Sequence, residues 1–439
     1  MLKAFGKRSM TSDREEEKTP ATPNQAFWKK LGPGLITGAA DDDPSSIATY
    51  SQVGARFGYA MLWSVFITFP LMVGIQVVSA RIGRVTGDGL AANIRRHYPA
   101  WVLRSLVCLL LIANTINLAA DIGAMAAALK LLVGGPLHLY AIAFGLLSLV
   151  LQIFIPFPRY GPILKMLTLS LFSYVATVFV VKVPWGEMLE HIIMPSISWD
   201  ADYIVAIVAV FGTAISPYLF FWQSSQEVEE QQAAKGERPL KHAPAEAQVQ
   251  LQRIKIDTYI GLGFSNLIAF FIMLTATVTM HLHGITDIQT SSQAAEVLRP
   301  VAGEYAFFLF SVGIIGTGLL AVPVLAGSAA YAVGESFKWR VGLGKELMQA
   351  RGFYAILAIA TLLGVALNFT SMDPIKALFW SSVINGVIAV PFMAIMMLLA
   401  AREDVMGRFV VPRRLQVLGW LATVVMAVAV LAMGITSLL

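Results

Sequence analysis

Long apolar runs separated by short polar segments make up most of the chain from residue 31 onward. About 20 apolar residues in a helix cross the hydrocarbon core of a bilayer, because an α-helix rises about 1.5 Å per residue. The runs predict eleven membrane-spanning helices, at residues 31–56, 59–80, 101–130, 137–156, 161–181, 203–228, 255–280, 305–336, 353–370, 374–400 and 413–437. The pattern therefore predicts an all-α polytopic membrane protein.

The first predicted span is interrupted at its middle by residues 41–46, three aspartates followed by a proline and two serines. A charged side chain at the bilayer centre costs at least about 2.5 kcal/mol on insertion scales. Pro44 removes a backbone donor and disfavours helical geometry at Asp43. We therefore expect the helix to break here, where carboxylates and freed carbonyls would form a cation site inside the protein.

A second interruption lies in span six, where Gly212 and Pro217 bracket a short polar stretch that contains Thr213 and Ser216. Spans one and six are five spans apart, and an odd number of spans inverts the topology. Two broken helices in this relation indicate inverted five-helix repeats with the substrate site at the breaks. The expected units are a first repeat at 31–181, a second repeat at 203–400 and an added helix at 413–437.

Composition and charge fit a multi-pass protein of the cell membrane, plasma or inner. Hydrophobic residues are 57% of the chain and charged residues only 13%, whereas soluble domains carry about 25% charged residues. The loops on one predicted side are basic, which places the N-terminus in the cytoplasm and the C-terminus outside, in the extracellular or periplasmic space. Residues 1–30 are charged and rich in Ser, Thr and Pro, and we expect a disordered cytoplasmic tail.

Short motifs around both breaks match the pattern of a known family. They are Asp43-Pro44-Ser45-Ser46 in span one and the segment 213–219 in span six. Further matches are Gly32-Pro33-Gly34, the segment 52–59, Ile256-Asp257-Thr258, Asn266, Ala326-Gly327 and the segment 334–337. Together they resemble the NRAMP family of divalent metal transporters, and most of all its NRAMP-related magnesium transporter branch. The resemblance implies a LeuT-like fold with helices 1 and 6 broken.

The positions that hold the metal in that family differ in this chain. Transition-metal members use an Asp, an Asn, a Met sulfur and a backbone carbonyl, but here Ser46 replaces the Asn and Ser216 replaces the Met. Oxygen ligands suit Mg²⁺, Ca²⁺ or Mn²⁺, whereas thioether sulfur favours softer metals. Mg²⁺ also sheds water reluctantly and needs room for it. The expected metal site consists of Asp43, Ser46, Thr213 through its carbonyl, Ser216, Asp42 and, as an outer ligand, Asn385.

A second set of differences concerns protons. Where the family has a His after the proline of span six, this chain has Tyr218, and Asn117 and Ala120 stand where span three of the family has two carboxylates. Asp121 remains, displaced by one position. A proton relay needs titratable groups within reach of one another. We therefore expect weak or absent proton coupling.

The inner ends of the helices offer fewer signals. Glu227, Glu229 and Glu230 follow span six and predict a solvated helix end, while Gln223 and Gln226 could line an exit route or bond neighbouring helices. No phosphate-binding loop, nucleotide fold or catalytic triad is visible in the sequence. We therefore expect no enzyme activity, no cofactor and neither nucleotide nor nucleic acid as partner.

The sequence predicts a secondary transporter that takes up divalent cations, Mg²⁺ and also Mn²⁺, by alternating access within the lipid bilayer. One alternative is a proton-coupled Mn²⁺/Fe²⁺ symporter, and the residues that decide between the two are Ser216 and Tyr218. Another is an amino-acid transporter of the same fold, which three clustered aspartates disfavour because they would repel the substrate carboxylate. A receptor or scaffold would leave the paired breaks unexplained.

Overall fold

The structure is a computed structural model that describes residues 32–155, 166, 168–234, 237–370 and 373–438. Its secondary structure is entirely helical over these residues, as predicted. The expected tail at 1–30 lies outside the described residues. Residues 156–165, which comprise the end of predicted span four, the connection at 157–160 and the start of predicted span five, also lie outside the described residues.

The first half of the chain runs from the first broken span to the segment before the second. Its helices are α1 (Pro33–Asp41), α2 (Pro44–Phe57), α3 (Leu62–Thr86), α4 (Leu90–His97), α5 (Ala100–Val133), α6 (Leu137–Phe154), α7 (Phe172–Val180) and α8 (Trp185–Ile193). A 3₁₀ turn at Gly58–Met61 joins α2 to α3, and another at Thr168–Leu171 leads into α7.

The second half begins with the other broken span. Its helices are α9 (Ala201–Ala214), α10 (Pro217–Ala233), α11 (Ala247–Thr279), α12 (Ser291–Glu296), α13 (Arg299–Ala302), α14 (Ala306–Ser336), α15 (Arg351–Leu367), α16 (Pro374–Ala400), α17 (Glu403–Met406) and α18 (Arg413–Thr436).

Both predicted breaks are present. Span one divides into α1 and α2 between Asp41 and Pro44, and span six divides into α9 and α10 between Ala214 and Pro217. In each case the proline is the first residue of the second half-helix, where its missing N–H leaves no hydrogen bond unmade. The interruptions therefore follow from local backbone chemistry, as the sequence predicts.

The number of spans agrees less closely with the prediction. Within the described residues, eight helical stretches have the length and hydropathy to cross a membrane, or nine if the pair Leu169–Val180 and Trp185–Ile193, bent by 113°, is one span. Pro44–Thr86 counts as a single stretch because the 3₁₀ turn links its two helices, and Arg351–Leu367 is apolar but shorter. Each predicted span contains a described helix, but the count of eleven is not confirmed.

Two long helices hold the bundle together around the breaks. Helix α5 packs against α14, α15 and α16, and α11 packs along α1, α2 and α3. The approach of α1 to α11 is close, because a Cβ on Gly38 would collide with the backbone of Gly261. Gly34 and Gly38 form a small-xxx-small pair of the kind that lets membrane helices meet backbone to backbone.

Candidate functional site

Asp43 lies at the centre of the first break and caps the second half-helix. Its Oδ1 accepts hydrogen bonds from the backbone N–H of Ser46 (2.7 Å) and the hydroxyl of Ser45 (2.6 Å). Its Oδ2 accepts only a longer bond from the hydroxyl of Tyr218 (3.2 Å). Because a carboxylate oxygen carries two lone pairs, Oδ2 keeps one that could bind a cation.

Ser46 connects the two broken helices. Its Oγ lies 2.5 Å from the carbonyl oxygen of Asp41, 2.9 Å from Oδ1 of Asp43 and 2.7 Å from the hydroxyl oxygen of Thr213. A serine hydroxyl has one proton to donate, so the arrangement fits best when Thr213 donates to Ser46 and Ser46 donates to span one. The structure thus brings Asp43, Ser46 and Thr213 together, as the sequence led us to expect.

Ser216 faces its own helix end. Its hydroxyl lies 2.8 Å from the carbonyl oxygen of Gly212 and 2.9 Å from the carbonyl oxygen of Thr213. The hydroxyl therefore donates to backbone carbonyls at the end of α9. The carbonyl of Thr213, expected to face a metal, therefore accepts a bond from Ser216. In this structure the hydroxyl of Thr213, rather than its carbonyl, contacts Ser46 at the first break.

Asp41 and Asp42 turn away from Asp43 toward α11. The hydroxyl of Ser265 lies 2.7 Å from Oδ2 of Asp41 and 3.0 Å from Oδ1 of Asp42. A single hydroxyl proton can serve only one of these two carboxylates at a time. Among the residues that the structure describes, no three His, Cys, Asp or Glu side chains converge on a point that could hold a metal. The site near Asp43 is therefore a set of hydroxyls around one carboxylate.

Ser265 was missed by the sequence reasoning, although a pattern could have indicated it. Asp257, Gly261 and Ser265 recur every four residues and lie on one face of α11, where small or polar side chains interrupt an apolar helix. In the structure this face follows α1 along its length. Asp257 accepts bonds from the N–H groups of Gly34 (2.7 Å) and Leu35 (3.1 Å), and so caps α1 from a neighbouring helix.

The far wall of the site comes from α5 and α16. Oδ1 of Asn385 accepts a bond from the amide of Asn117 (3.0 Å), and the hydroxyls of Ser382 and Thr49 lie 2.9 Å apart. The expected outer ligand Asn385 is buried in this interhelical pair. Its oxygen is occupied by Asn117.

The carboxylate at the centre of the site is buried in this structure. Asp43 is 2% exposed. A cavity of about 350 Å³ lies at the C-terminal end of α2 and the N-terminal end of α9, lined among others by Gln52, Arg56, Asp202 and Lys376. These helix ends lie across the breaks from the N-terminus of α1 and the C-terminus of α10. The cavity is thus a vestibule on the predicted outer side.

Ion pairs close the opposite side. Arg253 of α11 donates to Glu227 (2.5 Å) and pairs with Glu230 (2.9 Å), both at the end of α10. Glu227 is 0% exposed, so the prediction of a solvated helix end is wrong there. Glu229 is also engaged, since it accepts a bond from the backbone N–H of Leu343 (2.8 Å). Sequence alone could not place these partners, because Arg253 lies on the following helix, α11, and Leu343 lies after α14.

The two glutamines of α10 join neighbouring helices. Gln223 accepts a bond from Gln76 of α3 (2.7 Å) and donates to Thr258 of α11 (2.9 Å). Gln226 donates to the hydroxyl of Tyr331 of α14 (2.9 Å). Both side chains hold α10 in place in this closed state.

Comparison with known sequences identifies relatives over nearly the whole chain. A sequence model of the family described as natural resistance-associated macrophage protein-like (Nramp) matches residues 34–436. The chain is 27% identical to the divalent metal cation transporter MntH of Pectobacterium carotovorum over 433 residues, 94% of this chain and 96% of that protein. It is 26% identical to MntH of Klebsiella pneumoniae over 429 residues, 94% of this chain and 95% of that protein.

Solved structures show the same fold. A manganese transporter of Eremococcus coleocola matches with a TM-score of 0.70 at 17% identity, covering 96% of this chain and 90% of that one. Mhp1, a nucleobase-cation-symport-1 family transporter, matches with a TM-score of 0.55 at 13% identity, covering 93% of this chain and 92% of that one. These likenesses confirm the predicted LeuT-like arrangement with two broken helices.

Proposed function

This chain belongs to the natural resistance-associated macrophage protein-like family, and from that premise we propose that it carries divalent metal cations across the membrane. Its preferred substrate is Mg²⁺, and Mn²⁺ is also carried. The ion enters from the vestibule and binds at Asp43 between the broken helices. It leaves on the side of Arg253 after one bundle rocks against the rest, with weak or no coupling to protons.

The observation that carries this proposal is the chemistry of the groups around Asp43. Every side chain within hydrogen-bond contact of this carboxylate offers oxygen: the hydroxyls of Ser45, Ser46 and Tyr218. Thr213 adds another hydroxyl through Ser46. Hard cations such as Mg²⁺ and Mn²⁺ take oxygen ligands, and Mg²⁺ keeps several waters that hydroxyls can bond. Asp42, Ser216 and Asn385 remain proposed ligands that would have to turn toward the ion.

The membrane potential alone can drive uptake of a doubly charged ion. Each charge gains about 2.3 kcal/mol per 100 mV on crossing, so a divalent cation gains about 4.6 kcal/mol at an inside-negative potential of that size. This corresponds to a concentration ratio above about a thousand. The driving force therefore requires no proton gradient. It requires the expected orientation, with the N-terminus in the cytoplasm and the vestibule outside.

A second candidate, a proton-coupled Mn²⁺/Fe²⁺ symporter, is favoured by the names of the similar proteins. The relatives are named divalent metal cation transporters, and the solved structure at TM-score 0.70 is named a manganese transporter. Under that reading Ser46 and Ser216 would form a rebuilt transition-metal site. The two candidates differ in whether Mg²⁺ is carried and whether protons move with the metal.

Uptake into liposomes separates the two candidates. Purified protein is reconstituted into liposomes that contain a Mg²⁺ dye or a pH dye, and an inside-negative potential is imposed. We expect Mg²⁺ to enter without acidification of the lumen, because the ion's own charge supplies the driving force. Liposomes with the Asp43→Asn variant serve as control and should match empty liposomes.

Two results would contradict the proposal. If only Mn²⁺ enters, and the lumen acidifies in step with it, the chain is a proton-coupled symporter of transition metals. If neither ion enters while the protein is monodisperse and correctly inserted, divalent cation transport itself is refuted.

A further inference from the structure

Helix α5 presents three polar side chains on one face toward the interior of the bundle. They are Asn114, Asn117 and Asp121, spaced by three and four residues. All three are buried, and Asp121 is 0% exposed. Polar and ionised groups inside a membrane are costly and mark ion pathways when they face the bundle interior. This face, called here the α5 oxygen face, is used by none of the contacts around Asp43.

The donors of the α5 oxygen face are bonded, whereas its acceptors are not. The amide of Asn114 donates to the carbonyl of Leu325 (2.9 Å), and the amide of Asn117 donates to Asn385 (3.0 Å). A carbonyl can only accept, so the orientation of the Asn114 amide is fixed by chemistry. Within the described part of the chain, Oδ1 of Asn114, Oδ1 of Asn117 and both carboxylate oxygens of Asp121 have no hydrogen-bond partner.

The α5 oxygen face lies beside the proposed cation site. Helix α5 packs against α2 and α16, which carry Thr49 and Ser382 of the site wall. Met125 of α5 and Pro44 of α2 both lie beside Gly318 of α14. Asp121 precedes Met125 by one helical turn, and Asp43 directly precedes Pro44. Asn117 is bonded directly to Asn385. Unmatched acceptors thus border the hydroxyls around Asp43.

A hydrated cation is the ligand that matches such a surface. The waters bound to a divalent ion point their oxygens inward and their protons outward, so the hydrated ion presents only donors to its surroundings. Asn117 and Asp121 are separated by one helical turn, about 6 Å along the axis, so both can reach the water shell of one ion. Asp121 also supplies a second negative charge, which Asp43 alone does not give to a doubly charged ion.

We infer that the α5 oxygen face is the wall that accepts hydrogen bonds from the water shell of a partly hydrated divalent cation held at Asp43. Asp121 and Asn117 make these contacts, and Asn114 offers the next acceptor along the helix. The wall selects ions that keep their water, Mg²⁺ above all, over ions that shed it easily. This inference rests on the proposed function and names the residues that give it its specificity.

The test compares Mg²⁺ and Mn²⁺ uptake in the same liposomes. Asp121→Asn keeps the shape of the side chain, but it removes a charge and turns amide protons toward the protons of the water shell. We expect the KM for Mg²⁺ to rise at least tenfold and the KM for Mn²⁺ to change less than threefold. Asp121→Glu, which keeps the charge, should restore at least half of the lost preference for Mg²⁺.

A matched control is available on the adjacent helix. Gln152 of α6 is buried, and its Oε1 also lacks a hydrogen-bond partner within the described residues. Gln152→Leu should leave both KM values unchanged if the effect belongs to the α5 oxygen face. Asn117→Ser serves as a second test variant, so a failure of Asp121→Asn to fold does not remove the test.

Each remaining outcome decides the matter. If the variants change the KM for Mg²⁺ and Mn²⁺ equally, or change neither, the unpartnered oxygens hold only resident water and the inference is wrong. If the wild-type protein carries Mn²⁺ but not Mg²⁺, there is no hydrated substrate for the wall and the inference is again wrong. If the wild-type protein carries no divalent ion, the proposed function itself is wrong. Uptake by the wild-type liposomes alone shows this, without any variant.

Discussion

Asp43 combines a structural and a functional role in one side chain. One carboxylate oxygen caps α2 through the N–H of Ser46, and the other faces Tyr218 with a lone pair to spare. The cap explains why an aspartate is tolerated in the middle of a span, because it satisfies the backbone donors that the break exposes. The same break gives a cation access to the carboxylate.

Substitutions at Asp43 should separate these two roles. Asn is as good a helix cap as Asp, whereas Ala loses the cap at a cost of about 0.5 to 2 kcal/mol. We predict that Asp43→Asn and Asp43→Ala both reduce Mg²⁺ uptake to the level of empty liposomes. Only Asp43→Ala should lower the melting temperature in detergent. Uptake above half the wild-type rate in Asp43→Asn would show that the charge does not bind the ion.

At the residue scale, the sequence identified the right neighbourhood but not the direction of each side chain. Asp43, Ser46 and Thr213 meet as expected. Ser216 instead turns to the carbonyls of Gly212 and Thr213, because a hydroxyl next to a helix break finds an acceptor on its own backbone. Whether Ser216 turns back toward a bound ion is a prediction that an ion-bound structure would test.

The half-helix α1 is held in place by another element. Its first N–H groups, at Gly34 and Leu35, are capped by Asp257 of α11. Gly34, Gly38 and Gly261 allow the two helices to touch. A helix of nine residues that is capped from a neighbour has few local contacts to hold it alone. Helix α1 therefore depends on α11 for its position.

Removal of the Asp257 carboxylate should loosen α1. Asp257→Ala leaves two N–H groups without an acceptor, and each such group costs about 1 to 3 kcal/mol when it stays buried. We predict a lower melting temperature for this variant and a smaller loss for Asp257→Asn, whose amide oxygen can still accept a bond. Equal losses in the two variants would mean that the charge of Asp257, rather than the cap, stabilises α1.

The whole molecule is closed on the side of α10 and has a vestibule on the other. Arg253 joins α11 to the end of α10 through Glu227 and Glu230. Glu335 of α14 accepts bonds from Ser225 of α10 (2.8 Å) and the N–H of Ala92 in α4 (3.1 Å). These contacts tie four helices together below the cation site. Release of the ion on this side requires that they separate.

Disruption of the Arg253 ion pairs should open that side. Arg253→Met leaves Glu227 buried without its partner, which typically costs about 3 to 5 kcal/mol. In a Cys108→Ser background, the Val228→Cys substitution reports access, because Val228 is buried next to Glu227 in the sequence. We predict that Arg253→Met speeds labelling of this cysteine by a water-soluble thiol reagent at least fivefold.

A double variant controls for general unfolding in this experiment. Glu227→Gln removes the stranded charge, so Arg253→Met with Glu227→Gln should recover the melting temperature yet still label faster than the wild-type protein. Unchanged labelling in both variants would show that the ion pairs do not hold the inner side closed.

The sequence by itself determined the class of protein, the helices and their breaks. These depend on local rules: the length of apolar runs, the geometry of proline and the cost of charge in a bilayer. Tertiary structure decided which oxygens meet. Asp41 turns to Ser265, 224 residues further along the chain, and Arg253 reaches Glu227 on another helix. Such contacts depend on how helices pack, and packing joins residues whose spacing in the sequence carries no signal.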